Sequence, residues 1–230
     1  MAKAIGVRFL TRLSVALLLA VTTHNGTAST APAEGDFKNC PAAGDPVPHS
    51  DQILNALKNR SMQVNAPRLT SWAEIAHLPH PNHPVPRLRK DWAPTDLNTV
   101  EQFERTGVVI EGYLYAVKRE GLEHCNCERQ DLNDFHMWLA PTRTAPQSHT
   151  MVVELAPRWR DANQNWSKQI LSRLASQHAR IRITGWMMFD QEHPEQLHPA
   201  ANRDATRATL WEVHPVTKIE AFSGNLWHEL

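Results

Sequence analysis

The amino-acid sequence predicts a mainly β protein built around a small closed barrel of five strands. Apolar and β-branched residues form five strand-like segments between residues 107 and 222. One amphipathic helix follows the third segment. The first and fourth segments each carry an interior glycine, Gly112 and Gly185, which suits the tight coiling of a small barrel.

The predicted strands are short and are separated by polar or proline-containing loops. They cover residues 108–118, 134–140, 149–156, 179–190 and 209–222. The helix is predicted over 162–178, where Trp166, Ile170 and Leu174 recur at four-residue spacing. Three strands, a helix and two strands is the order of an OB-fold, a five-stranded Greek-key barrel. A split α+β sheet has the same order of elements and is the alternative.

Resemblance to known sequences supports this fold over residues 107–222. The segments VVIEGYLYAVK and RIRITGWMMFD resemble the first and fourth strands of bacterial OB-fold domains, and WEVHPVTKIEAF resembles their closing strand. The stretches CNC, DFHMWL and WEVHPV also resemble a group of exported bacterial proteins of uncharacterised function. This resemblance implies a fold and no activity.

Residues 1–30 have the features of a signal peptide. Lys3, Arg8 and Arg12 precede a short apolar segment at 13–21, and small residues around Ala28 offer a cleavage site. The apolar segment is shorter than the roughly 20 residues that a membrane span needs. We expect a periplasmic or extracellular protein with no stable membrane span after signal removal. An uncleaved anchor is the alternative.

The charge of the exported chain does not indicate a nucleic-acid partner. The chain has 24 basic and 24 acidic residues, and removal of the three basic residues of the signal peptide leaves 21 basic against 24 acidic. Non-specific nucleic-acid binding depends on clustered Lys and Arg, so only a local patch could support it.

The sequence also lacks a GxSxG motif and a Gly-rich phosphate loop.

The sequence of residues 31–106 predicts a proline-rich N-terminal extension with short helices at 50–60 and 96–105. Ser50 or Asp51 can cap the first helix. Between the helices lies a Pro/His-rich linker. Three histidines recur at every third position of this linker: His77, His80 and His83. In a polyproline II helix they would share one face. They could form a weak metal site, or the segment could be a solvated linker. Residues 223–230 are predicted to form a C-terminal tail.

Three cysteines allow one internal disulfide. We expect Cys40 to pair with Cys125 or Cys127, because such a bond would tie the extension to the barrel and close a long loop. Alternatively, His124, Cys125 and Cys127 bind zinc or copper, Cys125 pairs with Cys127, or the thiols stay reduced.

Alternation along the second strand assigns its faces. Phe135, Met137 and Leu139 are predicted to point into the barrel, so that the outward positions belong to polar and aromatic residues. These outward residues are Asp134, His136 and Trp138. Together with Tyr113 and Tyr115 of the first strand, they are the candidate ligand-binding residues, since aromatic rings stack on bases or sugars. The alternative is that the rings pack under the extension.

The third and fifth strands add further outward groups. If the loop after the second strand is centred near residue 145, His136 falls opposite Glu154, and the fifth strand brings Glu212 and His214 beside Glu154. Histidines with carboxylates are ligand types of a hydrolytic zinc site. They are equally typical of a solvated polar face, and no HExxH spacing is present. Candidate catalytic residues are His136, Glu154 and His214.

These observations favour an exported binding or interaction module for an oligosaccharide, a nucleic acid or an envelope protein. The first alternative is a metal-dependent hydrolase or nuclease that uses the outward His/Glu site. The second is a metal-handling protein that uses the CNC loop. We expect no cofactor in the binding module, and zinc or copper in either alternative.

Overall fold

The computed structural model describes residues 29–81, 84–197 and 206–230. The predicted signal peptide lies almost wholly outside these ranges, as does His83 of the linker. Among the described residues, no helix is both long enough and apolar enough to cross a membrane.

The N-terminal extension contains short elements separated by irregular chain. They are helix α1 (Gln52–Lys58), strand β1 (Arg68–Leu69), helix α2 (Trp72–Ala76) and helix α3 (Pro94–Glu104). Asp51 caps α1, because its side chain accepts hydrogen bonds from the amides of Ile53 and Leu54, each at 3.1 Å. Both predicted helices are present. Helix α2 was not predicted, although Ser71 and Glu74 form a capping box at its start.

Five strands then close into a mixed β-barrel, as the sequence predicts. They are β2 (Gly107–Arg119), β3 (Phe135–Ala140), β4 (Met151–Leu155), β5 (Arg180–Phe189) and β6 (Trp211–Ser223). Pairing runs β2–β3–β4–β6–β5 and returns to β2. Only the β4–β6 pair among these is parallel. This closed ring excludes the split sheet.

The two interior glycines lie where strands approach each other closely. A Cβ atom on Gly185 would lie 2.4 Å from Val213 Cγ1 and 2.5 Å from the Pro215 carbonyl oxygen. A Cβ atom on Gly112 would lie 2.6 Å from the Ala140 carbonyl oxygen. Both positions therefore require a residue without a side chain.

The barrel interior is apolar. Met137, Leu139, Met151 and Val153 are wholly excluded from solvent, and Phe135 belongs to the same core. The predicted inward parity of β3 is therefore confirmed, and Met151 and Val153 of β4 face the same core.

The helix after the third barrel strand begins later than predicted. Helix α4 (Pro157–Ala162) comes first, and α5 (Lys168–Ser176) begins after Ser167, whose hydroxyl accepts a hydrogen bond from the Ile170 amide. The predicted start at 162 was wrong because Ser167 is a helix cap. Trp166, expected inside the helix, is buried just before it.

The C-terminal residues form a strand where a tail was expected. Gly224 and Asn225, with φ values of +55° and +65°, make a tight turn, and β7 (Leu226–Glu229) pairs with β6. A Gly-Asn pair between two apolar segments is a recognised hairpin signal, so this strand was predictable.

The N-terminal extension covers part of the outer barrel surface. The Arg60 guanidinium donates hydrogen bonds to the carbonyl oxygens of Met187 at 3.1 Å and His214 at 3.0 Å. The indole of Trp159 donates to the Arg60 carbonyl at 2.8 Å. Because of these contacts, the outward face of β6 near His214 is shielded by the chain that follows α1.

Candidate functional site

The outward residues of β3, β4 and β6 come together beneath the extension. His136 of β3 pairs with Glu154 of β4 in the register that the sequence predicts. β6 runs beside β4, with Val213 aligned to Val153, which places His214 next to Glu154. We call the resulting group the outer-face cluster: Asp134, His136, Glu154, Glu212 and His214.

The Glu154 carboxylate lies between two imidazoles. One oxygen contacts His136 Nε2, and the other is 3.2 Å from His214 Nδ1. On its far side, His136 Nδ1 is 3.1 Å from a carboxylate oxygen of Glu120. The orientation of His136 is therefore fixed by a carboxylate at each ring nitrogen.

Two further carboxylates flank His214. Asp134 Oδ2 is 3.6 Å from His214 Nε2, and its Oδ1 accepts a hydrogen bond from the Asn126 amide at 3.1 Å. Glu212 Oε2 is 3.9 Å from His214 Nδ1, while its other oxygen contacts Arg207. His214 thus has a carboxylate near each ring nitrogen.

The cluster is buried, which sequence alternation alone did not reveal. Its residues point away from the barrel core as expected, yet each side chain is 5% exposed or less. The alternative of a solvated polar face is therefore wrong for these five residues. The N-terminal extension and the neighbouring loops exclude solvent from them.

Several buried atoms of the cluster lack a hydrogen bond. Within the described chain, Glu154 Oε2, Glu212 Oε2 and both ring nitrogens of His214 make no hydrogen bond. Glu154 Oε2 and His214 Nδ1 approach to 3.2 Å, but this contact is not a hydrogen bond. Leaving a buried polar atom unsatisfied costs about 1–3 kcal/mol. Native proteins keep few such atoms, and each calls for a functional or structural reason.

Burial changes the acidity of the carboxyl groups. Desolvation, followed by the nearby charge of Glu154, raises the pKa of Asp134 to about 7. Desolvation and the charge of Glu212 raise the pKa of Glu154 well above its ordinary value. Both carboxyl groups therefore keep their protons to higher pH than free carboxylic acids, first because of burial and second because of the neighbouring carboxylates.

Burial has the opposite effect on the histidines. Desolvation, then the positive charge of Lys58, lowers the pKa of His214 well below its ordinary value. Desolvation also lowers the pKa of His136. Both imidazoles are therefore neutral at pH 7, the form that can bind a metal ion.

A cleft of about 580 Å³ opens beside the cluster. Its walls include Lys58 and Arg87 from the extension, Glu123 and Cys125 from the loop after β2, and His193 from the loop after β5. The cleft reaches the cluster through Cys125, whose sulfur is 3.9 Å from Asp134 Oδ2.

Lys58 lines the cleft and lies between two carboxylates. Its Nζ is 2.9 Å from Glu192 and 3.5 Å from Glu123. Although burial alone would lower the pKa of Lys58, the surrounding negative charges, with Glu192 first, raise it well above its ordinary value. Lys58 is therefore a fixed positive charge in the cleft.

His193 is a second cation of the cleft. Its Nδ1 is 2.8 Å from Asp190. This hydrogen bond outweighs desolvation and raises the pKa of His193 to about 9. The imidazole is therefore protonated at neutral pH and can act as a proton donor toward the cleft.

The cysteines form the predicted link between the extension and the barrel. Cys40 is bonded to Cys127, with a Cα–Cα distance of 5.9 Å, and Cys125 is a buried free thiol. The predicted metal site with His124, Cys125 and Cys127 together was wrong, because the disulfide removes Cys127 as a ligand. The His124 ring contacts carboxylates instead, with Nδ1 3.8 Å from Asp45 and 3.4 Å from Glu128.

The candidate aromatic residues differ in exposure. Trp138 is 8% exposed and packs against the His136 ring at 5.9 Å between centroids, so it offers no open stacking surface. Tyr113 and Tyr115 are half-buried, and the Tyr115 ring contacts His178. Only the two tyrosines are therefore partly accessible to a ligand.

Sequence reasoning missed the site residues that come from loops and from the extension. Those nearest the cluster are Lys58, Glu120, Glu123, Asp190, His193 and Arg207. Only Asp190 and His193 carried a usable signal, because an acid and a histidine three residues apart directly follow a strand. The others could be placed only once the path of the extension and loops was known.

Comparison with protein-family models, with curated proteins and with solved structures found no match to this chain. The site must therefore be interpreted from its own geometry.

Proposed function

We propose that this chain is an exported zinc-dependent hydrolase whose metal ion is held by Asp134, Glu154 and His214. The proposal is carried by one observation. Each of these buried residues offers a donor atom within 4.8 Å of the other two, and Glu154 Oε2 and both ring nitrogens of His214 make no hydrogen bond among the described residues.

The residue types suit a catalytic zinc ion. Zinc binds imidazole nitrogen and carboxylate oxygen, and a catalytic site has three protein ligands and an open position for water. Outer groups that orient the ligands are also present, since Asn126 holds Asp134 and Glu212 lies beside His214. A divalent cation would also neutralise the local excess of carboxylates.

The cleft supplies the remaining groups for hydrolysis. Zinc lowers the pKa of bound water to about 7. A bound zinc ion would supply an activated water for addition to the electrophilic carbon or phosphorus of the substrate. Glu212, 3.9 Å from His214 Nδ1, would accept the proton released from that water, and exchange with solvent would then restore Glu212 and His193. His193, protonated and lining the cleft, gives a proton to the leaving group. Water is thereby added across the cleaved bond.

We propose a periplasmic or extracellular location, which the disulfide and the N-terminal sequence support. Disulfides persist in oxidising compartments, and the Cys40–Cys127 bond fits such an environment. With the signal-peptide features of residues 1–30, we assign the protein to the periplasm or the extracellular space.

The test is hydrolysis by the exported chain after chelator treatment and after zinc is restored. Chromogenic carboxylate esters, phosphomonoesters and phosphodiesters are the substrates. We expect zinc-dependent turnover of at least one class. His193→Gln is expected to keep zinc binding and to lose most turnover, together with the alkaline limb of the pH profile. Turnover that survives chelation, or zinc binding without turnover of any class, contradicts the proposal.

Ligand binding in the cleft is a second candidate function, favoured by the size of the cleft and its charged walls. The partners are those expected from the fold: an oligosaccharide, a nucleic acid or an envelope protein. Binding of an oligosaccharide or oligonucleotide to zinc-free protein, lost in Lys58→Met, supports it. Absence of binding at low salt removes nucleic acid as a partner.

A further inference from the structure

We infer that the site takes a second metal ion, bound by Glu123, Cys125 and Asp134, so that Asp134 bridges two ions. This inference rests on the proposed function. It changes the class of the site from a single zinc ion to a pair of ions with a shared carboxylate.

The two groups of ligands meet at one atom. Glu123, Cys125 and Asp134 each offer a donor atom within 4.8 Å of the others. Asp134 Oδ2 is 3.9 Å from Cys125 Sγ and 3.6 Å from His214 Nε2. The same oxygen therefore faces both groups. Paired metal ions in hydrolytic sites lie about 3.5–4 Å apart, a separation that a bridging carboxylate can span.

Glu123 is held with one oxygen available. Its Oε1 faces the Lys58 ammonium at 3.5 Å. Its Oε2 is buried and has no hydrogen-bond partner in the described part of the chain. Lys58 is fixed in turn by Glu192 at 2.9 Å. The ammonium thus orients the carboxylate and leaves Oε2 for the ion.

Cys125 is kept as a thiol by the disulfide pattern. Cys127, two residues away, is bonded to Cys40 and cannot pair with Cys125. Cys125 is 2% exposed and lies between the carboxylates of Glu123 and Asp134. Thiolate sulfur with carboxylate oxygen is a ligand set that zinc accepts.

The second ion would lie on the cleft side of the first. Glu123 and Cys125 line the cleft, whereas Glu154 and His214 do not. The ion held by Cys125 is therefore the one that a substrate meets first, and the ion held by His214 is the deeper one.

Cobalt titration of the chelator-treated, disulfide-intact exported chain tests this inference. Cobalt(II) replaces zinc in such sites, and a sulfur ligand produces a thiolate-to-cobalt charge-transfer absorption band. We expect two equivalents in the wild-type protein, with the thiolate band. Cys125→Ser is expected to bind one equivalent without the band. Asp134→Asn is expected to lose both equivalents.

Glu128→Gln is the matched control, because Glu128 lies in the same loop and contacts His124 instead of Cys125. It is expected to bind two equivalents and to keep the band. Loss of an equivalent in this variant would assign the second ion to His124 and overturn the inference.

The wild-type titration separates the two proposals. One equivalent without the thiolate band overturns the second ion and leaves the zinc hydrolase intact. One equivalent with the band overturns the ion pair by assigning Cys125 to a single ion. No bound cobalt overturns both. Because the wild-type result is decisive, the test stands even where a variant fails to fold.

Discussion

Strand β3 is buried on both faces, yet the two faces have opposite chemistry. Met137 and Leu139 point inward and are wholly excluded from solvent in an apolar core. His136 points outward and is 4% exposed, but it lies against Glu120 and Glu154. Neighbouring residues of β3 therefore lie in two different layers. We call the apolar barrel core the inner layer, and the outer-face cluster with the charged residues around it the outer layer.

A contribution to folding stability explains why the inner layer is buried, but it does not explain why the outer layer is buried. Apolar burial contributes about 25 cal/mol per Å², whereas burying an ion costs several kcal/mol unless it is well compensated. The inner layer needs no further reason. In the outer layer, His214 and Glu154 have buried atoms without a hydrogen bond. We expect this layer to lower the stability of the metal-free protein, an expectation that agrees with the proposed metal site.

The largest effect on metal-free stability should come from the inner layer. Met137→Ala removes a wholly buried side chain, and we expect the free energy of unfolding to fall by about 2–5 kcal/mol. Urea unfolding of the metal-free protein measures it. A loss below about 1 kcal/mol would show that the inner layer is not the main source of stability.

Removal of the disulfide that links the extension to the barrel should lower the free energy of unfolding slightly less than Met137→Ala does. Cys40→Ser combined with Cys127→Ser opens a loop with a sequence separation of 87 residues. We expect a loss of about 2–4 kcal/mol, measured by urea unfolding. Wild-type protein under reducing conditions is the control and should match the variant. Equal stability of reduced and oxidised protein would contradict this role of the disulfide.

We expect the free energy of unfolding of the metal-free protein to fall as pH rises from 6.5 to 9, because of ionisable groups in the outer layer. His193, with its pKa raised to about 9, is protonated when folded and neutral when unfolded in this range. Glu154, whose pKa is raised well above its ordinary value, also retains its proton longer in the folded state. The folded state therefore binds more protons, and higher pH removes stability.

Partial exposure of His193 screens its contribution, so we expect a decrease of about 1 kcal/mol. Below pH 6.5 the lowered pKa values of His136 and His214 act in the opposite direction. Thermal unfolding at several pH values measures the slope. His193→Gln should flatten it, and an unchanged slope in that variant would assign the effect to other groups.

The smallest effect on the metal-free protein should come from His214→Leu. Neither ring nitrogen makes a hydrogen bond in the described chain, although carboxylates lie 3.2 and 3.6 Å away. The substitution therefore removes polar atoms that had no hydrogen bond to lose. We expect stability within about 1 kcal/mol of the wild type, or higher. A loss as large as that of Met137→Ala would show that both faces of the strand stabilise the fold equally.

The inner layer and the strand pairing were predictable from sequence. Alternation placed Met137 inside and His136 outside, and loop length placed His136 opposite Glu154. Local patterns suffice for these features because the side-chain period of a strand is two residues. The same reasoning places His214 beside Glu154, as the structure has it.

The burial of the outer layer could not be predicted in this way. It depends on the path of the extension, where Lys58 and Arg60 are about 150 residues from His214 in sequence yet lie close in space. No periodic pattern encodes such a long-range contact. The missed start of α5 and the missed strand β7 are different, because Ser167 and the Gly224–Asn225 turn were local signals.

Calorimetric titration of metal-free protein with zinc tests the central claim most directly. We expect the wild type to bind zinc, and we expect affinity to be at least about 100-fold weaker in His214→Leu, because a ligand is lost. His149→Leu, an exposed histidine outside the cluster, should bind like the wild type. Equal zinc affinity of His214→Leu and the wild type, or no zinc binding by either, would contradict the claim that the outer layer is a metal site.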